Sequence, residues 1–219
     1  MKHLRHTSII ALAVLLGLAL PSARAALIPL NSGDGIGEYN NFNNLIGPNV
    51  LINVHPVWKP NEVNKWVSYG NTGEPRTITT PDVPDPITLP NPNLPSATFY
   101  EVFVLPYWHN TGHVDIWADD TARVYLDQVL LIDANPVQGI NCGAGPIGCT
   151  PNNVGSFDLT ALHLSAGPHT LALEAYQRGG SPFGVMYQGS ITSTPEPITL
   201  ALIGAGLLGL GLIRRRKQA

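Results

Sequence analysis

The middle of this 219-residue chain is poor in positive charge. Seven of the twelve Lys and Arg lie in residues 1–25 and 214–217, which leaves five between 26 and 197. All 15 Asp and Glu fall in that same segment, so its formal charge is −10, although the whole chain nets −3. A body this acidic repels nucleic-acid phosphates, which excludes that class of partner. Its charge suits either divalent cations, which take carboxylate and carbonyl oxygens, or plain solubility. The body also lacks a His-Glu-x-x-His helix, a Gly-x-Ser-x-Gly elbow, a phosphate loop and a dinucleotide fingerprint, so no enzyme is expected. A glycosidase pair cannot be read from a linear sequence, since fifteen carboxylates always offer one on paper. There is no internal repeat, and residues 26–193 hold no long helical periodicity.

Long apolar runs occur at the two ends alone. Lys2 and Arg5 precede an apolar run from Ile9 to Leu20 and the small-residue site Ala23-Arg24-Ala25, the pattern of a secretory signal peptide over 1–25. At the other end, Ile198–Ile213 is apolar or glycine apart from Thr199. Sixteen residues make a helix about 24 Å long, somewhat less than a typical hydrocarbon core of about 30 Å. The expected transmembrane helix spans 198–213 if Arg214, Arg215, Arg216 and Lys217 snorkel or the bilayer thins. Those cations mark the cytoplasmic side.

Cysteine is scarce: Cys142 and Cys149 sit in "NCGAGPIGCT". Export places them in an oxidising compartment, where a disulfide is expected, with free thiols or metal ligands as the alternatives.

What the body does have is short alternating runs bounded by Gly, Pro, Asn and Asp. Strands are expected at Val50–Val54, Lys65–Tyr69, Thr98–Leu105, His113–Ala118, Ala122–Leu126, Val129–Ile132, Ser156–Leu159, Thr170–Tyr176 and Gly184–Ile191. This spacing predicts an all-β fold, an antiparallel β-sandwich over 26–193, flanked by the signal helix and the C-terminal membrane helix. Seven prolines between 75 and 95 make 73–97 a long loop. The asparagines of "GEYNNFNNLIGPN" read as turn-formers.

Pro195-Glu196-Pro197, the apolar run 198–213 and the basic cluster 214–217 together resemble the PEP-CTERM sorting signal of Gram-negative bacteria, over 194–219. The resemblance implies a membrane protease partner, an exosortase, that recognises the tail. It implies transient anchoring in the inner membrane facing the periplasm, then release to the cell surface, in an exopolysaccharide or biofilm setting. The two prolines keep the chain extended just outside the bilayer, where a protease can reach it.

"WADDTARVYLDQVLLID" and "LHLSAGPHTLALEAYQRGGSPFGVMYQGSI" resemble a PA14-type β-sandwich over His113–Ile191, with a generic jelly roll as the alternative. Two positions depart from that pattern: Thr121 and Gln128 stand where glycine is usual. The resemblance implies a non-catalytic glycan-binding domain in which Asp119 and Asp120 hold calcium. Asn152 and Asn153 are candidate additional ligands, and the competing reading of the pair is a turn that caps backbone amides. Sugar binding also needs an exposed aromatic face, and Trp108 in "LPYWHNTGH" is the best candidate, with Trp58, Trp66 and Trp117 assigned to the core. His109 and His113, flanking a turn at Asn110-Thr111-Gly112, form a weaker metal pair.

Overall fold

The structure is a computed structural model that describes residues 24–74, 94–133, 142, 145–177, 182–195 and 204–206. The signal peptide, most of the proline-rich segment, Glu196, Pro197 and the basic cluster lie outside the described residues. So does the predicted span 198–213 except for Gly204–Gly206, which are helical. No helix among the described residues is long and apolar enough to cross a membrane.

Among the described residues, twelve strands build two antiparallel six-stranded sheets, the β-sandwich that the alternating runs predict, with the first three beyond the nine expected strands. The first contains β1 (Ala26–Asn31), β4 (Val50–Leu51), β5 (Val67–Ser68), β7 (His109–Asp119), β10 (Gly155–Asp158) and β12 (Gly184–Thr194). The second orders β3 (Leu45–Gly47), β2 (Glu38–Phe42), β6 (Ala97–Leu105), β11 (Gly167–Tyr176), β8 (Thr121–Leu126) and β9 (Val129–Ile132). Strand β12 is central to the first sheet. All eleven of its residues pair with β7, while β1 and β5 share its other edge.

Alternation decides which side chains face inward. In β6, Ala97, Phe99, Phe103 and Leu105 are buried. In β11, Leu171, Leu173 and Ala175 meet Val124 and Leu126 of β8 and Val114 and Ile116 of β7 in one core. Each large side chain buried this completely contributes about 1.5–3 kcal/mol. A second cluster of Ile52, Trp58, Trp66, Trp117, Cys149 and Met186 packs apart from it. Trp117 and Met186 pair across β7 and β12, and the Trp58 ring packs tilted against Trp66, with centroids 4.2 Å apart. The loop 52–66 therefore covers part of the first sheet's outer face, whereas the outer face of the second sheet carries the open groove described below.

Two hairpins follow from local chemistry. Asn43 and Asn44 (φ 51° and 63°) join β2 to β3, and Asp127 and Gln128 (φ 49° and 69°) join β8 to β9. Left-handed backbone at both central positions gives the turn whose twist matches its strands, and Asn and Asp tolerate it.

Several expectations need correction. Strands predicted at 50–54 and 65–69 shrink to two residues each, because the chain there curls over the second cluster. Asn110-Thr111-Gly112 is not a turn: β7 begins at His109, and the three residues pair with Ser193, Thr192 and Ile191. Asn40 and Asn41 lie in β2 rather than in a turn. The strand predicted at 156–159 runs 155–158 and gives way to a 3₁₀ turn at Leu159–Leu162, capped by the Asp158 carboxylate, which accepts from Thr160 N at 2.9 Å.

Candidate functional site

The open face of the second sheet carries a cross-strand row. Register places Tyr39, Tyr100, Ala172, Tyr125 and Leu130 side by side on β2, β6, β11, β8 and β9. Tyr39 and Tyr100 stack with ring centroids 4.7 Å apart. Ala172, the smallest member, leaves a gap between Tyr100 and Tyr125. The gap is a groove of about 510 Å³, lined also by Thr98, Glu174, Thr170, Asp127 and Gln128.

Each end of the groove presents a fixed carboxylate. At one end the Tyr125 and Tyr176 hydroxyls donate to Glu174 Oε2, at 3.2 and 3.0 Å. Burial, reinforced by the Glu174 charge, raises both phenols above their ordinary range. Arg123 donates to the Tyr176 hydroxyl (3.1 Å) and to Asp133 (3.0 Å), so its fork is occupied beside the groove. At the other end Asp127 Oδ1 accepts from Thr170 N at 2.9 Å, and Oδ2 lies 2.6 Å from His169 Nδ1. His169 is buried against Phe103, and its Nε2 meets Ser165 O at 2.8 Å, which locks the ring and with it Asp127. Aromatic walls, a flat floor and pre-positioned acceptors suit a ligand with apolar ring faces and many hydroxyl donors. The aromatic row went unread in the sequence. The alternation of Ala172 and Glu174 with Leu171 and Leu173 is visible there, but the register that aligns Tyr100 and Tyr125 beside Ala172 is not.

The aspartate pair sits elsewhere. Asp119 ends β7 and Asp120 turns the chain into β8, its amide donating to Tyr176 O at 3.0 Å; the peptide between the two aspartates is cis. Both are nearly buried, at 5% and 8% exposure. Burial, then the neighbouring Asp120, raises the Asp119 carboxyl well above the carboxylate range, and a hydrogen bond with Trp58 opposes this. Asp119 Oδ1 lies 3.2 Å from Cys142 Sγ, and Cys142 and Cys149 are joined in the expected disulfide. Asp119 and these sulfurs cluster within 4.8 Å, but disulfide sulfurs are not thiolate ligands. Two adjacent buried carboxylates fit a hard cation in donor chemistry. Asn152 is exposed, and Asn153 Oδ1 accepts from Thr150 Oγ1 at 2.7 Å.

Trp108 is 65% exposed, whereas Trp58, Trp66 and Trp117 are at most 3% exposed. It stands at the start of β7 and the aspartates at its end, roughly 35 Å away along an eleven-residue strand. The structure therefore does not bring Trp108 and the aspartates into one site. His109 and His113 lie four residues apart on the same strand, about 13 Å between Cα atoms, which is too far for the shared turn site expected above.

Fold and tail together define an antiparallel β-sandwich protein with a C-terminal sorting signal. Residues 193–217 match the PEP-CTERM protein-sorting motif. Among solved structures, the chain is similar to a family 35 carbohydrate-binding module from an environmental isolate. That match has TM-score 0.38 and 11% identity, and covers 78% of this chain and 99% of the other. It is also similar to a family 35 module from Clostridium thermocellum, with TM-score 0.37, 11% identity, and 78% and 100% coverage. Both are named as carbohydrate-binding modules rather than PA14-type domains. No curated protein matches the chain.

Proposed function

We propose that this is an exported surface protein, anchored briefly in the inner membrane, cut by an exosortase near Pro195–Pro197 and deposited in exopolysaccharide or biofilm matrix, where its sandwich binds glycan without catalysis. The sorting-motif match at 193–217 supports the route. The groove between Tyr100 and Tyr125 is the observation that carries the activity, because its walls present ring faces and its ends present acceptors. Glu174 stands on β11, and the Asp127 carboxylate is bound to Thr170, four residues along the same strand, so the two acceptors serve the two ends of the groove. A formal charge of −10 over residues 26–197 favours a neutral or amino-bearing polymer over a uronic one.

In this reading calcium is held by Asp119 and Asp120, with backbone oxygens and water completing its shell. It would neutralise the paired carboxylates and tie β7 to β8 at the corner. Because the pair is remote from Trp108, its role is to stabilise the fold rather than to bridge a sugar on that ring.

The test combines two measurements. Cells lacking the exosortase should accumulate chain that retains residues 198–219 by mass, and mature protein should be retained on the host's own polysaccharide. Normal processing in those cells removes the route; passage of mature protein through the polysaccharide unretarded, with or without calcium, removes the binding function. Reducing-sugar release abolished by one carboxylate substitution would instead make the protein a hydrolase.

A further inference from the structure

We infer that the end of the sandwich from which β12 leads into the sorting motif is a lipid-facing surface that seats against the phospholipid headgroups while the chain is anchored. The inference rests on the anchoring part of the proposal above, not on its glycan part.

Thr194, the last residue of β12, pairs with His109, and Ser193 pairs with Ala26. Leu105, at the end of β6, pairs with Gly167, at the start of β11, so both sheets finish at this one end. The Ser193 hydroxyl clasps the connection between the sheets, accepting from Tyr107 N and donating to Tyr107 O, each at 3.0 Å. Three residues separate Thr194 from Ile198, where the apolar run begins. Fully extended, that stretch reaches about 14 Å. The headgroup layer is about 5–8 Å thick on each side of a bilayer, so an anchored chain has little slack to lift the sandwich away.

Side chains at this end fit such a neighbour. Trp108 is 65% exposed at the tip, Val104 is 62% exposed on one outer face and Leu27 is 68% exposed on the other. Tryptophan, with an apolar ring and a polar edge, is enriched at membrane interfaces for that reason. Charge supplies a separate argument. No Asp or Glu occurs in residues 24–28, 104–112, 164–168 or 190–195, the stretches nearest this end, although residues 26–197 carry all fifteen. Asp127, on His169 and Thr170, and Asp158, on Thr160, stand farther along the strands. Among the described residues, the tip around Trp108, Ser193 and Ala26 carries no carboxylate, so it can approach anionic headgroups more closely than the rest of the acidic body. The first carboxylate after β12 is Glu196, inside the sorting motif itself. Seating this end would hold Pro195–Pro197 at headgroup depth and turn the Asp119–Asp120 corner away from the membrane.

The test uses the full chain in vesicles of phosphatidylethanolamine and phosphatidylglycerol, with a fraction of the lipids spin-labelled near the headgroup. Three of the four tryptophans are buried in the sandwich, so quenching reports Trp108. Spin label should lower the tryptophan emission of the wild-type chain, and Trp108→Ala should abolish that loss while leaving Tm unchanged. Leu27→Ser with Val104→Ser, which keeps the tryptophan, should weaken the quenching. A chain that inserts but shows equal emission with and without spin label overturns the docking alone. A chain that does not float with vesicles overturns the anchor as well. Loss of polysaccharide binding in Trp108→Ala, with no quenching in the wild type, reassigns this end to sugar.

Discussion

The Tyr187 hydroxyl donates to Glu38 Oε1 at 2.7 Å, beside the buried Glu101. Glu38 is already held by the amides of Gly33 (2.8 Å) and Gly35 (2.9 Å), so it accepts on both oxygens. Tyr187 also hydrogen-bonds Glu101, and that bond favours the ionised carboxyl. Burial, chiefly, with the Glu38 charge adding to it, pushes the Glu101 carboxyl up to about 8.

A pH dependence follows. The folded state binds the Glu101 proton more tightly than the unfolded chain, whose carboxyl titrates near its ordinary value of 4.5. Unfolding free energy therefore falls as pH rises from about 4.5 to 8, by several kcal/mol in the limit. The raised Asp119 acts in the same direction. Urea denaturation at pH 5, 6.5 and 8 should show this decline, and Glu101→Gln should flatten much of it. An unchanged slope in Glu101→Gln places the proton elsewhere.

The disulfide closes a loop with seven residues of sequence separation beneath Asp119. Cys142→Ser with Cys149→Ser should cost about 2–3 kcal/mol by the chain-entropy relation. For a body of this size that lowers Tm by roughly 5–10 °C. Calorimetry under non-reducing conditions checks it, and wild type in reductant should match the variant.

Calcium should raise Tm if Asp119 and Asp120 hold it, by roughly 5–10 °C at a hundredfold excess over Kd. Asp120→Asn should lose the calcium-dependent increment. Equal increments in both proteins, or none in wild type, contradict the assignment.

Gly37 adopts φ +72°, and a Cβ there would lie 2.2 Å from Val102 O. Gly37→Ala should therefore destabilise by about 1–3 kcal/mol, from left-handed backbone and a clash with β6. It should also disturb Glu38 and weaken the pH dependence, which the same urea series would show.

Much of the fold was readable because burial writes itself as alternation. Leu171, Leu173 and Ala175 declared β11, and the Asp127-Gln128 turn declared the hairpin that follows β8. Strands β2 and β3 are hidden where asparagine density imitates a loop: Asn43 and Asn44 do turn, but Asn40 sits in a strand, its side-chain amide donating to Pro48 O at 2.7 Å. Gly112 misled in the same way. It lies in β7 where a Cβ would meet Ser190 O at 2.4 Å, so the glycine serves close strand approach rather than a turn. The site was less legible still. Exposure of Trp108 is local and could be guessed, whereas a groove made by Tyr100, Ala172 and Tyr125 depends on the register of three strands that lie far apart in sequence.

The central claim is that a sugar chain lies across Ala172 between two tyrosines. Affinity electrophoresis of mature protein in gels containing the host's polysaccharide tests it most directly. Wild type should be retarded; Tyr100→Ala and Tyr125→Ala should each weaken binding by roughly 5- to 30-fold, as expected for about 1–2 kcal/mol of lost ring stacking. Ala172→Leu should block the groove without unfolding the sheet, and Trp108→Ala should migrate as wild type does. Undiminished retardation in the tyrosine and Ala172 variants, with their folds intact, would contradict the account.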